Sequence, residues 1–355
     1  MIDPRSWSVP QLVCAGLGLT IVAALVFAAT TSATAFGAYN YGWDGSADLR
    51  EVAAEEERDV EILQDTSAYE QLSGNDTIAV ILGPDETYDA DSASRIRSYV
   101  RRGGTVLIAT DFGAAGNDLL ASLNATVRVD GGLVRDERNH GASPAFPIAT
   151  NVSIGSGQVS RLALNYPSAL TGTQSETVSV LAQTSAYAYI DRNRNDELDE
   201  SEQLQAYPVM AREPVGNGSV IAVSDPSLFI NTMLDREDNR AAATALFDSS
   251  ERVWFDYTHT GGIPPLRQIV LLIRSSQLAG FAFGVSAIGI TAAMIYTGPR
   301  LLTRLQRRYR RESVATPGLS EQEIVEVVAE AHPEWDRERV RRIAERLATQ
   351  DTTND

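Results

Sequence analysis

The twelve residues Asp191 to Glu202 read DRNRNDELDESE. Oxygen-bearing side chains fall at the first, third, fifth, ninth and twelfth positions, as Asp191, Asn193, Asn195, Asp199 and Glu202. Position seven is Glu197, which would offer its backbone carbonyl, and Leu198 fills the apolar position eight. This is the ligand spacing of a calcium loop, in which a hard cation gathers oxygens from alternate residues. The one departure is Asp196 at position six, where glycine ordinarily makes the sharp turn. Aspartate can adopt the left-handed conformation needed there, less readily than glycine. The preceding AYAYI reads as a strand, so the loop is expected to pin a hairpin rather than to join two helices. A solvated acidic turn is the competing reading; calcium as a structural staple is favoured over it.

A second stretch, SDPSLFIN, stands where a strand hands over to a helix. Asp225 and Ser227 are placed to cap that helix by accepting bonds from its free N–H groups. Asn231, Asp238 and Asn239 could tie loops across the end of the sheet. The alternative is a ligand or partner pocket at the carboxyl edge of the strands, shared with Asp111. Caps and ties are favoured over the pocket.

Other chemistries lack their residues. The single cysteine, Cys14, lies in an apolar run, so no internal disulfide and no cysteine nucleophile on a strand-to-helix turn is available. All 30 basic residues are arginine, which removes the phosphate-binding lysine of a Walker loop. No G-x-S-x-G elbow or H-E-x-x-H pair occurs, and His140, His259 and His332 are scattered. A hydrolase using aspartates alone stays open.

The 355-residue chain carries a formal charge of −17. Acidity without lysine fits a protein working in high salt, where screening relieves self-repulsion, or a high-GC genome. Such a balance argues against nucleic acid as a partner. Leu12 to Phe36 is apolar and uncharged, so residues 11–38 are expected to cross a membrane as a helix, with 1–10 inside; a cleaved signal peptide ending at Ala33-Thr34-Ala35 is the alternative. Leu278 to Thr297 is a second such run, giving an expected span at 278–298 after a juxtamembrane helix at 266–277. The Arg-rich stretch 299–318 follows, and Arg-rich flanks stay cytoplasmic. From Asp44 to Gly262 there are 35 acidic and 16 basic residues, which places residues 39–265 outside. The sequons at Asn75, Asn124, Asn151 and Asn217 all lie in that part and are candidates for glycosylation.

The elements that would position these residues alternate. Helices are predicted at Ala47 to Glu57, Ser67 to Leu72, Ala90 to Arg102 and Gly116 to Leu123, and apolar strands at DVEIL (59–63), TIAVIL (77–82) and TVLIA (105–109). Continuous apolar strands between helices predict a parallel sheet covered on both faces, in a doubly wound, flavodoxin-like layout. Strand-like pieces follow at Val159 to Leu164, Thr177 to Ala182, Ala186 to Ile190, Ala206 to Ala211 and Ser219 to Val223, before a closing helix at Arg240 to Phe247. This half is expected to complete the sheet and to carry a β-rich insertion holding the acidic loop. Residues 319–355 predict a small helical hairpin broken at Pro333, with Asp336 capping its second helix.

The combination of YVRRGGTVLIATD, GNGSVIAVSDPSLFINTMLDREDNRAA and flanking apolar segments resembles the domain-of-unknown-function family numbered 4350, in its haloarchaeal form, over roughly residues 10–300. The resemblance implies a fold like the class I glutamine amidotransferases, without their catalytic cysteine, and proximity to MoxR-type ATPases. It implies no activity. The reading drawn from all this is a non-enzymatic, membrane-anchored binding or assembly protein, with an external domain and a cytoplasmic tail that docks a partner such as a MoxR-type ATPase. The alternatives are a surface hydrolase acting on glycan or peptide through Asp111 or Asp225, and an accessory subunit of a membrane transport system.

Overall fold

The computed structural model describes residues 13, 16–21, 23–24, 32–55, 58–72, 74–155, 159–259 and 321–351. The chain divides into two units, Met1–Leu271 and Leu272–Asp355.

In the first unit, helix α1 (Ala47–Glu55) leads to strand β1 (Asp59–Leu63), a 3-10 turn (Thr66–Glu70), β2 (Thr77–Leu82), α2 (Ala90–Arg101), β3 (Thr105–Ala109) and α3 (Ala114–Ser122). An insertion of short strands follows: β4 (Arg128–Val129), β5 (Leu133–Asp136), β6 (Ile148–Ala149), β7 (Asn151–Val152), β8 (Leu162–Ala163), β9 (Leu170–Thr171), β10 (Ser179–Gln183) and β11 (Ala188–Asp191). The chain then runs through β12 (Pro208–Val215), β13 (Gly218–Val223), a second 3-10 turn (Pro226–Phe229), the single turn α4 (Asn231–Leu234), α5 (Asn239–Phe247) and β14 (Arg252–Asp256).

The result is a mixed α/β architecture around one eight-stranded sheet, ordered β1–β14–β2–β3–β13–β12–β10–β7. The first five strands in that order are parallel; β12, β10 and β7 continue it antiparallel. Successive side chains of a strand point to opposite faces, and here both faces are dry. In β2, Ile78, Val80 and Leu82 join a core with α1 and α5, through Leu49, Val52, Ala242 and Leu246. Ala79 and Ile81 join the opposite core with α2 and α3, through Ile96, Val100, Leu119 and Leu120. Burying each large aliphatic side chain stabilises by roughly 1.5–3 kcal/mol, which is why these strands read as unbroken apolar runs. Capping fixes the helix starts: Asp89 accepts the N–H of Ser92 at the head of α2.

Two expectations are corrected. Among the described residues no helix is long and apolar enough to cross a membrane. A spanning helix needs about 20 apolar residues, and the longest fully described helix, Arg337–Asp351, has 15 and is charged. Of the first apolar run, Val13, residues 16–21 and residues 23–24 are described as exposed helix and residues 32–36 as coil, bend and turn; the second run, the juxtamembrane stretch and the Arg-rich linker lie outside the described residues. The flavodoxin-like layout is also altered. In that order the first strand lies inside the sheet, whereas here β1 is the edge and the last strand, β14, enters between β1 and β2. The sequence reading ended the domain on a helix and missed β14.

The second unit contains α6 (Glu321–Ala331) and α7 (Arg337–Asp351). Asp336 accepts the N–H of Arg339 and starts α7. His332 stacks on Trp335 at 3.9 Å between ring centroids, and Arg339 lies over the same indole.

The close approach of α2 to the start of β3 supplies a test. A Cβ at Gly104 would fall within 2.5 Å of three ring atoms of Tyr99, a fully buried residue whose hydroxyl donates to the Thr77 carbonyl at 2.6 Å. Overpacking of this kind costs about 1–3 kcal/mol. Gly104→Ala is expected to lower stability by that amount in urea unfolding, while Gly113→Ala, which meets nothing within 4 Å, changes it little.

Candidate functional site

Neighbouring strands β3 and β13 send their chains to opposite faces: β3 leads to α3 in one core, β13 to α5 in the other. The connections thus switch faces between β3 and β13, and the crevice that such a switch point forms outside the carboxyl ends is where open α/β sheets bind ligands. Asp111 stands at one lip, half-buried, accepting the N–H of Phe112 at 2.6 Å. Asp225 stands at the other and is 1 % exposed. One of its oxygens takes the N–H of Asn165 at 2.7 Å and the other that of Ser227 at 2.8 Å. Asp225 thus caps the Pro226–Phe229 turn and fastens a segment of the insertion 60 residues away in sequence. Burial pushes its pKa up to about 7 against the pull of those two bonds, and the charge of Asp111 adds to the rise.

The other residues proposed for this pocket are spread along the same side of the sheet. Asn231 accepts from Asp48 N–H and donates to the carbonyls of Asn40 and Gly42, holding the segment before α1. Asp238 accepts from the backbone and hydroxyl of Ser160 and from Arg161 N–H, and these bonds, Ser160 first, draw its pKa down. Asn239 makes a paired bond with the backbone of Ala163 and donates to Met233. Ser227 contributes its N–H and, more weakly, its hydroxyl to Asp225. The structure brings Asp111 and Asp225 to one crevice and uses the rest as ties.

The acidic loop begins at the end of β11. Asp196, at position six, has φ +68°, the left-handed value the calcium spacing requires, and Arg194 has φ +56°. Asp191 is fully buried. It accepts the N–H groups of Asn195 and Asp196 and a guanidinium N–H of Arg135 at 2.8 Å. Arg135, on β5, also pairs with Asp196. Asp199 takes the side-chain amides of Asn193 and Asn195, and Glu202 takes the N–H groups of Arg192 and Asp199. A groove of about 410 Å³ beside the loop is lined in part by Asn193, Asp199, Glu202 and Gln205. Among the described residues no group of three or more His, Cys, Asp or Glu is arranged to hold a metal ion. The charge on Asp191 is met instead by Arg135, a partner that the spacing of the loop gives no sign of.

The loop also reaches the crevice. Arg194 lies over the ring of Phe112, 4.9 Å from its centroid, and Phe112 is 39 % exposed beside Asp111. Sequence reasoning missed Asn165, Arg194 and Phe112, because each enters through a long-range contact. The sequon residues Asn75, Asn124, Asn151 and Asn217 are all exposed.

The family described as "Domain of unknown function (DUF4350)" matches residues 38–247. No curated protein matches the chain in sequence. Among solved structures, the chain is similar to the "mmIFT52 N-terminal domain" at 14 % identity and a TM-score of 0.41, over 52 % of this chain and 80 % of that one. It is similar to "Cytoplasmic Protein STM3548 from Salmonella typhimurium" at 12 % identity and a TM-score of 0.37, over 58 % and 85 %. The exo-beta-1,4-mannosidase Op5Man5 from Opitutaceae bacterium strain TAV5 is matched at 13 % identity and 0.28, over 49 % of this chain and 25 % of that one. Likenesses this distant carry no functional argument.

Two measurements probe the buried charges. The folded state keeps a proton on Asp225 that an unfolded chain releases near pH 4. Stability therefore falls as pH rises from about 4 to about 7, by on the order of 4 kcal/mol, and stays reduced above. Urea midpoints across that range should fall less steeply in Asp225→Asn; Asp256, whose pKa burial also raises, keeps part of the slope. Arg135→Met leaves Asp191 buried without its cation and should cost about 3–5 kcal/mol. Adding Asp191→Leu is expected to recover much of that loss, read from the same unfolding curves.

Proposed function

The chain belongs to the DUF4350 family, and on that premise we propose that it is a non-enzymatic binding and assembly protein. Its α/β unit offers the crevice between β3 and β13, and its helical hairpin docks a partner. The observation that carries this is the way the crevice carboxylates are used. Asp225 has both oxygens bonded to backbone N–H groups, an arrangement that fixes loops and leaves it poorly placed to attack or protonate a substrate. The hairpin supports the second half. A groove of about 670 Å³ is lined in part by Val325, Ala329, His332, Trp335 and Val340. The family resemblance points to a MoxR-type ATPase as its occupant.

The acidic loop is a structural staple in this reading, with calcium as its ion. The oxygen spacing and the left-handed Asp196 support it. Arg135 is a resident counter-ion that holds the loop whether or not calcium is bound. The exposed sequons fit an external setting in which they carry glycans. The hydrolase reading through Asp111 and Asp225 is favoured by one observation, a carboxyl whose pKa is pushed to about 7 in a crevice.

Crosslinked capture with the full chain, at the salt of its native setting, tests the assembly reading. An ATPase captured by the full chain and by Asp111→Asn, but not by a chain ending at Leu319, is expected. Equal capture with and without the hairpin overturns the docking role, and turnover of glycan or peptide lost in Asp111→Asn overturns the non-enzymatic one. For the loop, saturable calcium binding by calorimetry that raises Tm, and is lost in Asp199→Ala, is expected. At a calcium concentration 100 times Kd the stabilisation is about 2.7 kcal/mol. No heat and no shift in Tm would leave Arg135 as the cation that meets the buried Asp191.

A further inference from the structure

Away from that crevice, the end of β14 carries a chain of hydrogen bonds that none of the preceding roles uses. Asp256 is buried, and one of its oxygens accepts the Tyr69 hydroxyl at 2.7 Å. Its other oxygen accepts both the backbone N–H of Thr258 at 2.8 Å and the Thr258 hydroxyl at 2.6 Å. The same hydroxyl oxygen is 2.9 Å from Nδ1 of His259. The imidazole lies against the ring of Tyr88, with centroids 3.7 Å apart and planes tilted by 31°.

Counting protons fixes the direction of every bond. An ionised carboxylate accepts only, and a threonine hydroxyl has one proton to give. Three donors converge on Asp256, and the Tyr88 hydroxyl bonds to it and to Thr258 as well, which favours the ionised form against the burial that opposes it. The Thr258 proton therefore goes to Asp256. The oxygen can then serve His259 only as an acceptor, so Nδ1 carries the proton and Nε2 carries the lone pair. A histidine whose one nitrogen donates to a carboxylate-linked group has its tautomer and ring orientation set by that bond. His259 and Thr258 are each only half-buried, and among the described residues Nε2 makes no hydrogen bond. The ring also stands at the carboxyl end of a parallel strand, the edge at which α/β sheets receive ligands.

We propose that the end of β14 is a second binding site, in which Nε2 of His259 accepts a hydrogen bond from a hydroxyl-bearing ligand and Thr258 and Asp256 are its positioning residues. The ligand class is a neutral alcohol or water rather than an anion. Asp256 is linked to the ring through Thr258, and the exposed carboxylate of Asp89 lies within electrostatic reach of it, so a negative ligand meets repulsion from both. Accepting this hydrogen bond moves no proton: the ligand keeps its O–H bond, Nδ1 and Thr258 keep their protons, and Asp256 stays ionised. This site shares no residue with the β3–β13 crevice and stands or falls separately from it.

The test is tautomer-resolving ¹H–¹⁵N correlation of the imidazole rings in the full labelled chain at pH 8, together with acylation by diethyl pyrocarbonate mapped by mass spectrometry. The expected result is a His259 ring protonated at Nδ1 and acylated several-fold faster than in Thr258→Val. Thr258→Ser, which keeps the hydroxyl, should restore both the tautomer and the rate; a role for Thr258 in packing alone would predict no such rescue. A His259 protonated at Nε2 in the unsubstituted chain overturns the proposal. So does a tautomer and acylation rate unchanged by Thr258→Val. If that variant does not fold, the tautomer of the unsubstituted chain decides by itself.

Discussion

Strands β2, β3 and β13, covered on both faces, leave no room for a charged side chain in the middle of their length. Each of β2, β3 and β13 is lined on one side by the α1–α5 core and on the other by the α2–α3 core. A carboxylate in the middle of such a strand would be stripped of water with no partner, at a cost of several kcal/mol. The chemistry of the molecule is therefore driven to the strand ends, and the carboxyl ends receive it: Asp111 after β3, Asp225 after β13 and Asp256 at the close of β14. The same constraint explains why so many polar residues at that edge are ties. Loops leaving a dry sheet carry unpaired N–H groups, and Asn231, Asp238 and Asn239 supply the missing acceptors.

How much of this the sequence discloses follows from the range of the interactions involved. TIAVIL and TVLIA announce themselves as doubly buried strands because burial on both faces needs an unbroken apolar run. RVWFD does not. It is five residues long, holds an arginine and an aspartate, and becomes a central strand only by entering between β1 and β2, roughly 175 to 190 residues upstream in sequence. No local pattern encodes that choice, so the strand order had to come from the structure. The apolar runs at 11–38 and 278–298 are a different case, the second lying outside the described residues. Hydropathy alone predicted two membrane helices, and the described residues contain no helix that could be one.

The acidic loop shows both limits within twelve residues. Its spacing placed a left-handed residue at Asp196, and the backbone there is left-handed. Local geometry was legible because it depends on neighbouring residues. The cation beside Asp191 was not, because Arg135 arrives from β5, paired beside β11 in a separate two-stranded ladder. A buried aspartate demands a positive charge, and nothing in DRNRNDELDESE says whether an ion or an arginine provides it.

Asp225 and Asp256 make the sharpest comparison at the functional edge. Both are buried at the carboxyl ends of parallel strands, and burial raises the pKa of each. Their partners differ in kind. The bonds to Asp225 come first from the backbone N–H groups of Asn165 and Ser227, with the Ser227 hydroxyl adding a smaller pull, so its geometry is rigid and its role is to hold loops. Two of the donors to Asp256 are hydroxyls, from Tyr69 and Thr258, and Thr258 passes its influence to an imidazole at the surface. A hydroxyl is donor and acceptor at once, so it can carry the presence of a buried charge outward, where an amide can only absorb it. The sequence treats the two aspartates alike; the identity of the donors around them separates a fastening from a site.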